Sequence, residues 1–337
     1  MMKTKERSSL AAEKQKHESI ARLLDWFFLL RPTLIFPLWT MLLAGHGLVK
    51  DHDEIGATRW LIVTISMSAL FGLVYLLNQM RDREGDRRNG KSMLIANDLV
   101  SRKTQHVVGI LLGIIAPAAL IYSGFGHLGY WMIATFAVAG ILYNYTPLAL
   151  ERTPVGGVLS GAIGGWLLLQ LGELIAGRDI GLLRELPYIL AFSAGCLLTS
   201  IPDLEGDRET GKRSFAVAFG ERNTALFAGV MVFVAGLIGI FVRDWVVVVP
   251  AVACTILIAL ALKRRDYRLS VAGNKAAIFL LAMGIAIGYP YFLVAMVVYL
   301  PIARWYHWNR FGLDYPNFRA EYANGAAVTR MNSVHEK

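Results

Sequence analysis

Nine stretches of this sequence are apolar over lengths that can cross a lipid bilayer: roughly residues 23–48, 60–80, 106–123, 128–149, 155–176, 186–202, 223–242, 245–262 and 276–303. A helix needs about 20 mostly apolar residues to span the hydrocarbon core. Composition agrees, because 55% hydrophobic and 18% charged residues leave too little charged surface for a soluble domain of 337 residues. The expected fold is therefore all-α, a polytopic transmembrane bundle of about nine helices. Arg31-Pro32 inside the first run predicts a kink or an interfacial start there. The first twenty residues are mostly charged or polar, so no cleavable signal is expected. Cys196 and Cys254 lie inside apolar runs and read as small core residues rather than a disulfide or a metal site. The net charge of +9 suits loops facing anionic lipid, or a site for an anionic substrate, better than nucleic acid.

Basic residues set the orientation. They crowd the N-terminal segment (Lys3, Lys5, Arg7, Lys14, Lys16, Arg22), the loop after the second run (Arg81 to Lys103), the loop after the sixth (Arg208 to Arg222) and the loop after the eighth (Lys263 to Lys275). The alternate loops are poor in them. A cytoplasmic N-terminus and nine crossings fit this alternation and place the C-terminal tail outside. The expected organisation is a cytoplasmic segment 1–20, a membrane domain 21–305 and a tail 306–337, in a multi-pass protein of the cell inner membrane. Little fixed structure is expected beyond about 318, and Trp305-Tyr306-His307-Trp308 suits a membrane interface.

Both long cytoplasmic loops carry the same polar motif. Residues 82–91 read Asp-Arg-Glu-Gly-Asp-Arg-Arg-Asn-Gly-Lys and residues 203–212 read Asp-Leu-Glu-Gly-Asp-Arg-Glu-Thr-Gly-Lys, identical at seven of ten positions. Four runs separate the copies, an even number, so both emerge on one side, as two pseudo-repeated four-helix halves plus a final helix would arrange them. Asp82 and Asp86 are i and i+4 and share one helical face, which Asn78 extends by a turn; Asp203 and Asp207 repeat the spacing. Four carboxylates turned into one cavity repel unless cations neutralise them. Magnesium is a hard ion that takes one or two carboxylates plus substrate phosphates. Arg87, Lys91, Arg208 and Lys212 would then face the remaining phosphate charge. A solvated helix end explains one such copy equally well; two copies that each follow an apolar run favour a site. The glycines suit either helix ends or close approach to a phosphate.

Asn78-Gln79-x-x-Asp82-x-x-x-Asp86 resembles the first acidic motif of the UbiA-type intramembrane aromatic prenyltransferases. Ile201-Pro202-Asp203-Leu204-Glu205-Gly206-Asp207, with Gly211, Arg213-Ser214-Phe215 and Phe219-Gly220, resembles their second, in wording closest to the homogentisate and chlorophyll-synthase branch. Tyr143-Asn144-Tyr145-Thr146-Pro147 resembles the family's Tyr-x-x-x-Pro element. The resemblance implies that Asn78, Asp82, Asp86, Asp203 and Asp207 hold the diphosphate of a polyprenyl donor through magnesium, two ions in all, and that the four aspartates are the catalytic set. Arg87, Lys91, Arg208 and Lys212 would contact the substrate, and the Tyr143 face would steady an allylic cation. The acceptor would be aromatic or lipid, and membrane lipids would surround the protein. Three departures stand out: Thr199-Ser200 where that branch has Lys-Asp, Ala149 and Glu151 where the family has a basic pair, and Asn89-Gly90-Lys91 in place of Asn-Lys-Pro.

Two other readings compete. A terpene cyclase on the same scaffold would let the cation attack its own chain. A transporter with duplicated intramembrane acids is the alternative of a different class, although acids at span ends followed by bases suit a phosphorylated ligand better. His46, His106, His127 and His307 show no metal-ligand spacing. Glu173 reads as a buried partner of the site or as a residue near the outer surface, and Arg31 as a substrate contact or a snorkelling side chain.

Overall fold

A computed structural model of the chain describes residues 18–49, 56–88, 93–124, 126–145, 147–177 and 181–318. The expectations for residues 1–17, Lys91, and the tail beyond 318 lie outside these residues. All regular structure among the described residues is helical: α1 (Asp25–Phe28), α2 (Pro32–Leu48), α3 (Ala57–Arg81), α4 (Arg83–Arg88), α5 (Met93–Ala96), α6 (Arg102–Ser123), a 3-10 turn (Gly126–Leu128), α7 (Gly129–Thr135) continued as a π-helix over Phe136–Leu142, a second 3-10 turn (Leu150–Arg152), α8 (Pro154–Ala176), α9 (Leu182–Leu198), α10 (Leu204–Glu209), α11 (Phe215–Val242), α12 (Trp245–Arg264), α13 (Arg268–Ala286) and α14 (Pro290–Phe311). Six of them, α3, α6, α8, α11, α12 and α13, are long and apolar enough to cross a membrane.

Local sequence explains where these helices begin. Ser101, Thr153 and Asp244 each accept a hydrogen bond from an N–H of the first turn of α6, α8 and α12, satisfying donors that helix starts leave open. Pro32, Pro154 and Pro290 occupy first-turn positions, where the missing N–H is no loss. The core is built of Leu42 and Leu43 from α2, Met67 and Phe71 from α3, Leu168, Leu169 and Leu171 from α8, and Tyr188 from α9. Outward faces such as Ile110, Ile114, Phe233, Leu237, Val294 and Val298 are apolar and exposed, as a lipid-facing surface requires.

Helices α2 and α8 touch backbone to backbone. A β-carbon on Gly45 would lie 2.2 Å from the carbonyl oxygen of Leu169, and one on Gly172 would lie 2.0 Å from that of Leu42. Any side chain at either position forces the helices apart.

The first apolar run breaks where Arg31-Pro32 predicted. Arg31 takes left-handed angles (φ 52°, ψ 53°) between α1 and α2; the right-handed helical region is disfavoured before proline, so α1 does not run on into α2. Side chains of α3 secure the break: Gln79 donates to the Leu29 carbonyl at 3.0 Å and Tyr75 to the Leu34 carbonyl at 3.0 Å. The run expected over 276–303 is two helices rather than one. Pro290 cannot continue α13 but starts α14 well, and the chain turns over Ile287-Gly288-Tyr289. The extra helix changes where the chain ends up at residue 311. The Tyr306 hydroxyl donates to Asp25 at 2.7 Å, Arg310 pairs with Asp25 at 3.1 Å, and the Tyr306 ring stacks on Phe28 at 3.7 Å. The residues after α14 therefore start at the end of the bundle that bears the acidic motifs, not on the opposite side as nine crossings implied. Residues 305–308 are the last turns of this helix, with Tyr306 fully buried.

Candidate active site

Both acidic motifs fold alike. α3 ends at Arg81 and the chain resumes at once as α4, with Asp82 at the joint. The Asp82 N–H donates to the Asn78 carbonyl at 2.8 Å and the Asp86 N–H to the Asp82 carbonyl at 2.8 Å, so the helical ladder runs through the joint and keeps the three side chains on one face. In the second copy Asp203 precedes α10, and the Asp207 N–H donates to the Asp203 carbonyl at 2.9 Å. Gly211 ends this copy with φ 72°, a left-handed cap. The Lys212 N–H reaches back to the Asp207 carbonyl at 2.8 Å. Here the glycine is a helix end, and its turn aims the Lys212 side chain back at the motif.

The copies meet. Arg88 of α4 pairs with Glu209 of α10 at 2.9 Å, and Gly85 faces Thr210. Lys212 Nζ lies 3.3 Å from Asp82 Oδ2 of the first motif, 3.9 Å from Asp207 Oδ1 of its own, and 3.0 Å from Glu151 Oε2. Asn78 donates to Asn144 Oδ1 at 2.9 Å and to Asp82 Oδ2 at 3.4 Å, while Arg81 donates to the Asn144 carbonyl at 3.2 Å. Asn144 is anchored in turn by the Ala139 and Gly140 carbonyls at the end of the π-helix. The Tyr143 carbonyl accepts a hydrogen bond from the Glu151 N–H at 3.2 Å, which joins that residue to the same cluster.

Asn78, Asp82, Asp207, Lys212 and Tyr143 thus converge, with Asp86 and Asp203 on the same two motif segments. Arg87 is turned elsewhere: it binds the Ala96 carbonyl at 2.6 Å and Asp98 at 2.7 Å, and Arg83 joins it on Asp98. Arg208 is exposed. Glu173 is buried in the last turn of α8, about 30 Å along that helix from the Glu151 end at 1.5 Å per residue, so it is no part of this cluster. Glu151, Asn144 and Arg81 belong to the cluster although the motif spacing does not mark them. Glu151 stands out in the sequence only as a departure from the family pattern, an acid where that pattern has a basic pair.

The cluster is short of positive charge. Burial pushes the Glu151 carboxyl up to about 7, partly opposed by the Lys212 ammonium and reinforced by Asp82. Burial also raises Asp207, again against Lys212. For Lys212, burial acts to lower the pKa, but Asp82, Tyr143, Glu151 and Asp207 outweigh it and hold the ammonium well above its ordinary value. In chelator, with no metal competing, the folded protein keeps a proton on Glu151 that the unfolded chain loses above about 4.5. Thermal stability is therefore expected to fall as pH rises from that value toward 7, with Asp207 adding a slope of the same sign. Melting curves across this range check it, and Glu151→Gln should flatten them.

The donor set fits divalent cations. It supplies hard carboxylate oxygens in excess of their one shared ammonium. Among the described residues no three acidic or histidine side chains are close enough to clasp an ion by themselves. That suits ions held by one or two carboxylates and completed by phosphate oxygens.

The sequence model of the UbiA prenyltransferase family matches residues 33–282. The probable homogentisate phytyltransferase 2 (chloroplastic) of Oryza sativa subsp. japonica is 28% identical over 222 residues, 59% of this chain and 56% of that one. The 1,4-dihydroxy-2-naphthoate octaprenyltransferase of Bacillus subtilis is 23% identical over 62% of this chain and 72% of its own length. The chain thus spans little more than half the length of the rice relative. A UbiA homolog from Archaeoglobus fulgidus, solved bound to DMAPP and Mg2+, superimposes with a TM-score of 0.58 at 15% identity, covering 78% of this chain and 98% of that one.

Proposed function

The chain belongs to the UbiA prenyltransferase family, and from that membership we propose that it moves a polyprenyl group from its diphosphate to an aromatic or lipid acceptor inside a membrane, with magnesium as cofactor. The observation that carries this reading is the position of Lys212, which leaves the second motif to lie between Asp82 of the first and Asp207 of its own. Two copies of one acidic sequence, 121 residues apart in the chain, serve one point in space.

In this reading Asn78, Asp82, Asp86, Asp203 and Asp207 hold two magnesium ions. When bound, the ions neutralise charge that builds on the departing diphosphate. Lys212 supplies a further fixed cation to that group. Asn144 fixes the orientation of Asn78. Glu151, a buried second partner of Lys212, keeps the ammonium within the cluster. The ring of Tyr143 lies beside the bond that breaks and favours cationic character there. The acid-bearing end faces the cytoplasm, in keeping with the basic residues of the motif loops. The membrane is the cell inner membrane, and its lipids cover the exposed apolar faces. Relatives named as phytyl and octaprenyl transferases support the transfer, and a solved relative bound to DMAPP and Mg2+ supports the metal.

The test uses purified protein in detergent with a prenyl diphosphate and magnesium. The donor is expected to persist until a phenol or quinol is added, and then to yield diphosphate and a prenylated product. A cyclic hydrocarbon formed without acceptor would assign the protein to cyclisation instead. Absence of diphosphate release with every donor and acceptor would overturn the enzymatic reading.

A further inference from the structure

Phe136–Leu142 winds as a π-helix at the end of α7, a rare form that often marks a functional site. The wider winding re-routes the backbone bonds. The Tyr143 N–H reaches the Val138 carbonyl, five residues back, at 2.9 Å. Asn144 and Tyr145 both turn their N–H groups to the Ile141 carbonyl, at 3.2 and 2.8 Å. The Ala139 and Gly140 carbonyls are met instead by the side chain of Asn144, whose Nδ2 donates to them at 3.1 and 3.0 Å. Asn144 is fully buried, so its side chain takes the place that water would fill at an open helix end.

These carbonyls dictate what happens on α3. A carbonyl only accepts, so Asn144 must face the π-helix with its nitrogen, and both hydrogens of that nitrogen are used there. Its Oδ1 can only accept, and it meets Asn78 Nδ2 at 2.9 Å. Asn78 must therefore present its own nitrogen to Asn144. The other N–H of Asn78 is directed at Asp82 Oδ2, 3.4 Å away, an oxygen that also receives Lys212 at 3.3 Å. Two amides in series thus carry the polarity of a backbone on one helix to a side chain on another. What Asn78 has left for a ligand is its amide oxygen. Oxygen is the donor that a hard divalent ion takes, whereas an amide NH2 has only hydrogens to offer. Arg81, the last residue of α3, holds the two helices in register by donating to the Asn144 carbonyl at 3.2 Å.

We infer that Asn144 is a positioning residue of the metal site: tied to the π-helix, it sets the amide of Asn78 so that oxygen, and not nitrogen, faces the cation held between the acidic motifs. The inference rests on the reading above, in which Asn78 is a metal ligand. It also gives the π-helix a purpose. A regular α-helix would commit the Ala139 and Gly140 carbonyls to the N–H groups of residues 143 and 144, and Asn144 would lose its anchor.

The test reads metal affinity, which needs neither donor nor acceptor. Manganese is titrated by its paramagnetic resonance signal into purified full-length protein. Asn144→Leu keeps the size of the side chain and removes the relay, so the Asn78 amide is free to turn over. It is expected to weaken manganese binding at least about tenfold, as loss of a group that orients a metal ligand does. Asn78→Asp supplies a ligand with oxygen on both sides, which needs no orienting. It is expected to raise the affinity severalfold more in the Asn144→Leu background than alone, where its second oxygen is turned to the Asn144 oxygen. If Asn144 were merely structural, Asn78→Asp would act equally in both backgrounds. Should Asn144→Leu fail to fold, Asn144→Ser takes its place with the same expectations. The serine hydroxyl still meets the carbonyl four residues back but is too short to hold Asn78. Unchanged manganese affinity in the variant that folds, or an equal effect of Asn78→Asp in both backgrounds, would overturn the inference. Failure of the wild type to bind manganese at all would instead sink the metal reading on which it rests.

Discussion

Alanine in place of Asp82 is expected to cut turnover by about a thousandfold or more, the scale seen when a group stabilising transition-state charge is lost, and to leave the fold intact. The substitution removes a proposed metal ligand at the joint between α3 and α4, where Asp82 also meets Lys212 at 3.3 Å. Catalysis should fall because one ion loses its anchor and the diphosphate its position. Stability should not, because Asp82 is one of three carboxylates around a single ammonium, and losing one relieves repulsion. Asp207→Ala should behave alike, and Asp82→Asn should lose activity while keeping the side-chain shape beside Asn78. Steady-state rates over a magnesium titration, with melting temperatures in chelator, check this. Wild-type rates in either alanine variant would remove the acidic cluster from the chemistry.

Lys212→Met is expected to lower kcat/KM by about a hundredfold, as loss of one preorganised cation at a developing anion does, and to move metal binding in the opposite direction. Without the ammonium, Asp82, Glu151 and Asp207 have lost their shared counter-ion, so a divalent ion should bind the substrate-free protein more tightly than in the wild type. Manganese titrated by its paramagnetic resonance signal reads that affinity directly. Tighter metal with slower transfer separates a working cation from a merely structural one. Lys212→Arg should recover part of the rate, since a guanidinium still pairs with phosphate.

Much of this architecture was legible in the amino-acid order. Long apolar runs announced helices in a membrane, and the duplicated Asp-x-Glu-Gly-Asp segments marked the candidate site, because both signals are local. What escaped were features set by chain direction and long-range contact. Pro290 marks the break that makes two helices of 276–303, yet the surrounding residues are apolar enough to read straight through it. That one break reverses the end of the bundle at which residue 312 lies. Glu151 was visible only as a departure from a family pattern, since nothing nearby in the chain shows that Lys212, 61 positions later, meets it. Arg87 stands in the motif beside Asp86, but the loop it stabilises through Ala96 and Asp98 claims it first.

The crossing of α2 and α8 at Gly45 and Gly172 has a mechanical corollary. The backbones of a helix from the first half and a helix from the second are locked at a spacing that leaves no room for even a methyl group. Rocking of one half against the other, the motion by which carriers expose a central site to each side in turn, would have to slide carbonyl against α-carbon at this joint. A protein seamed in this way behaves as a rigid vessel, whose walls keep their spacing whatever they enclose.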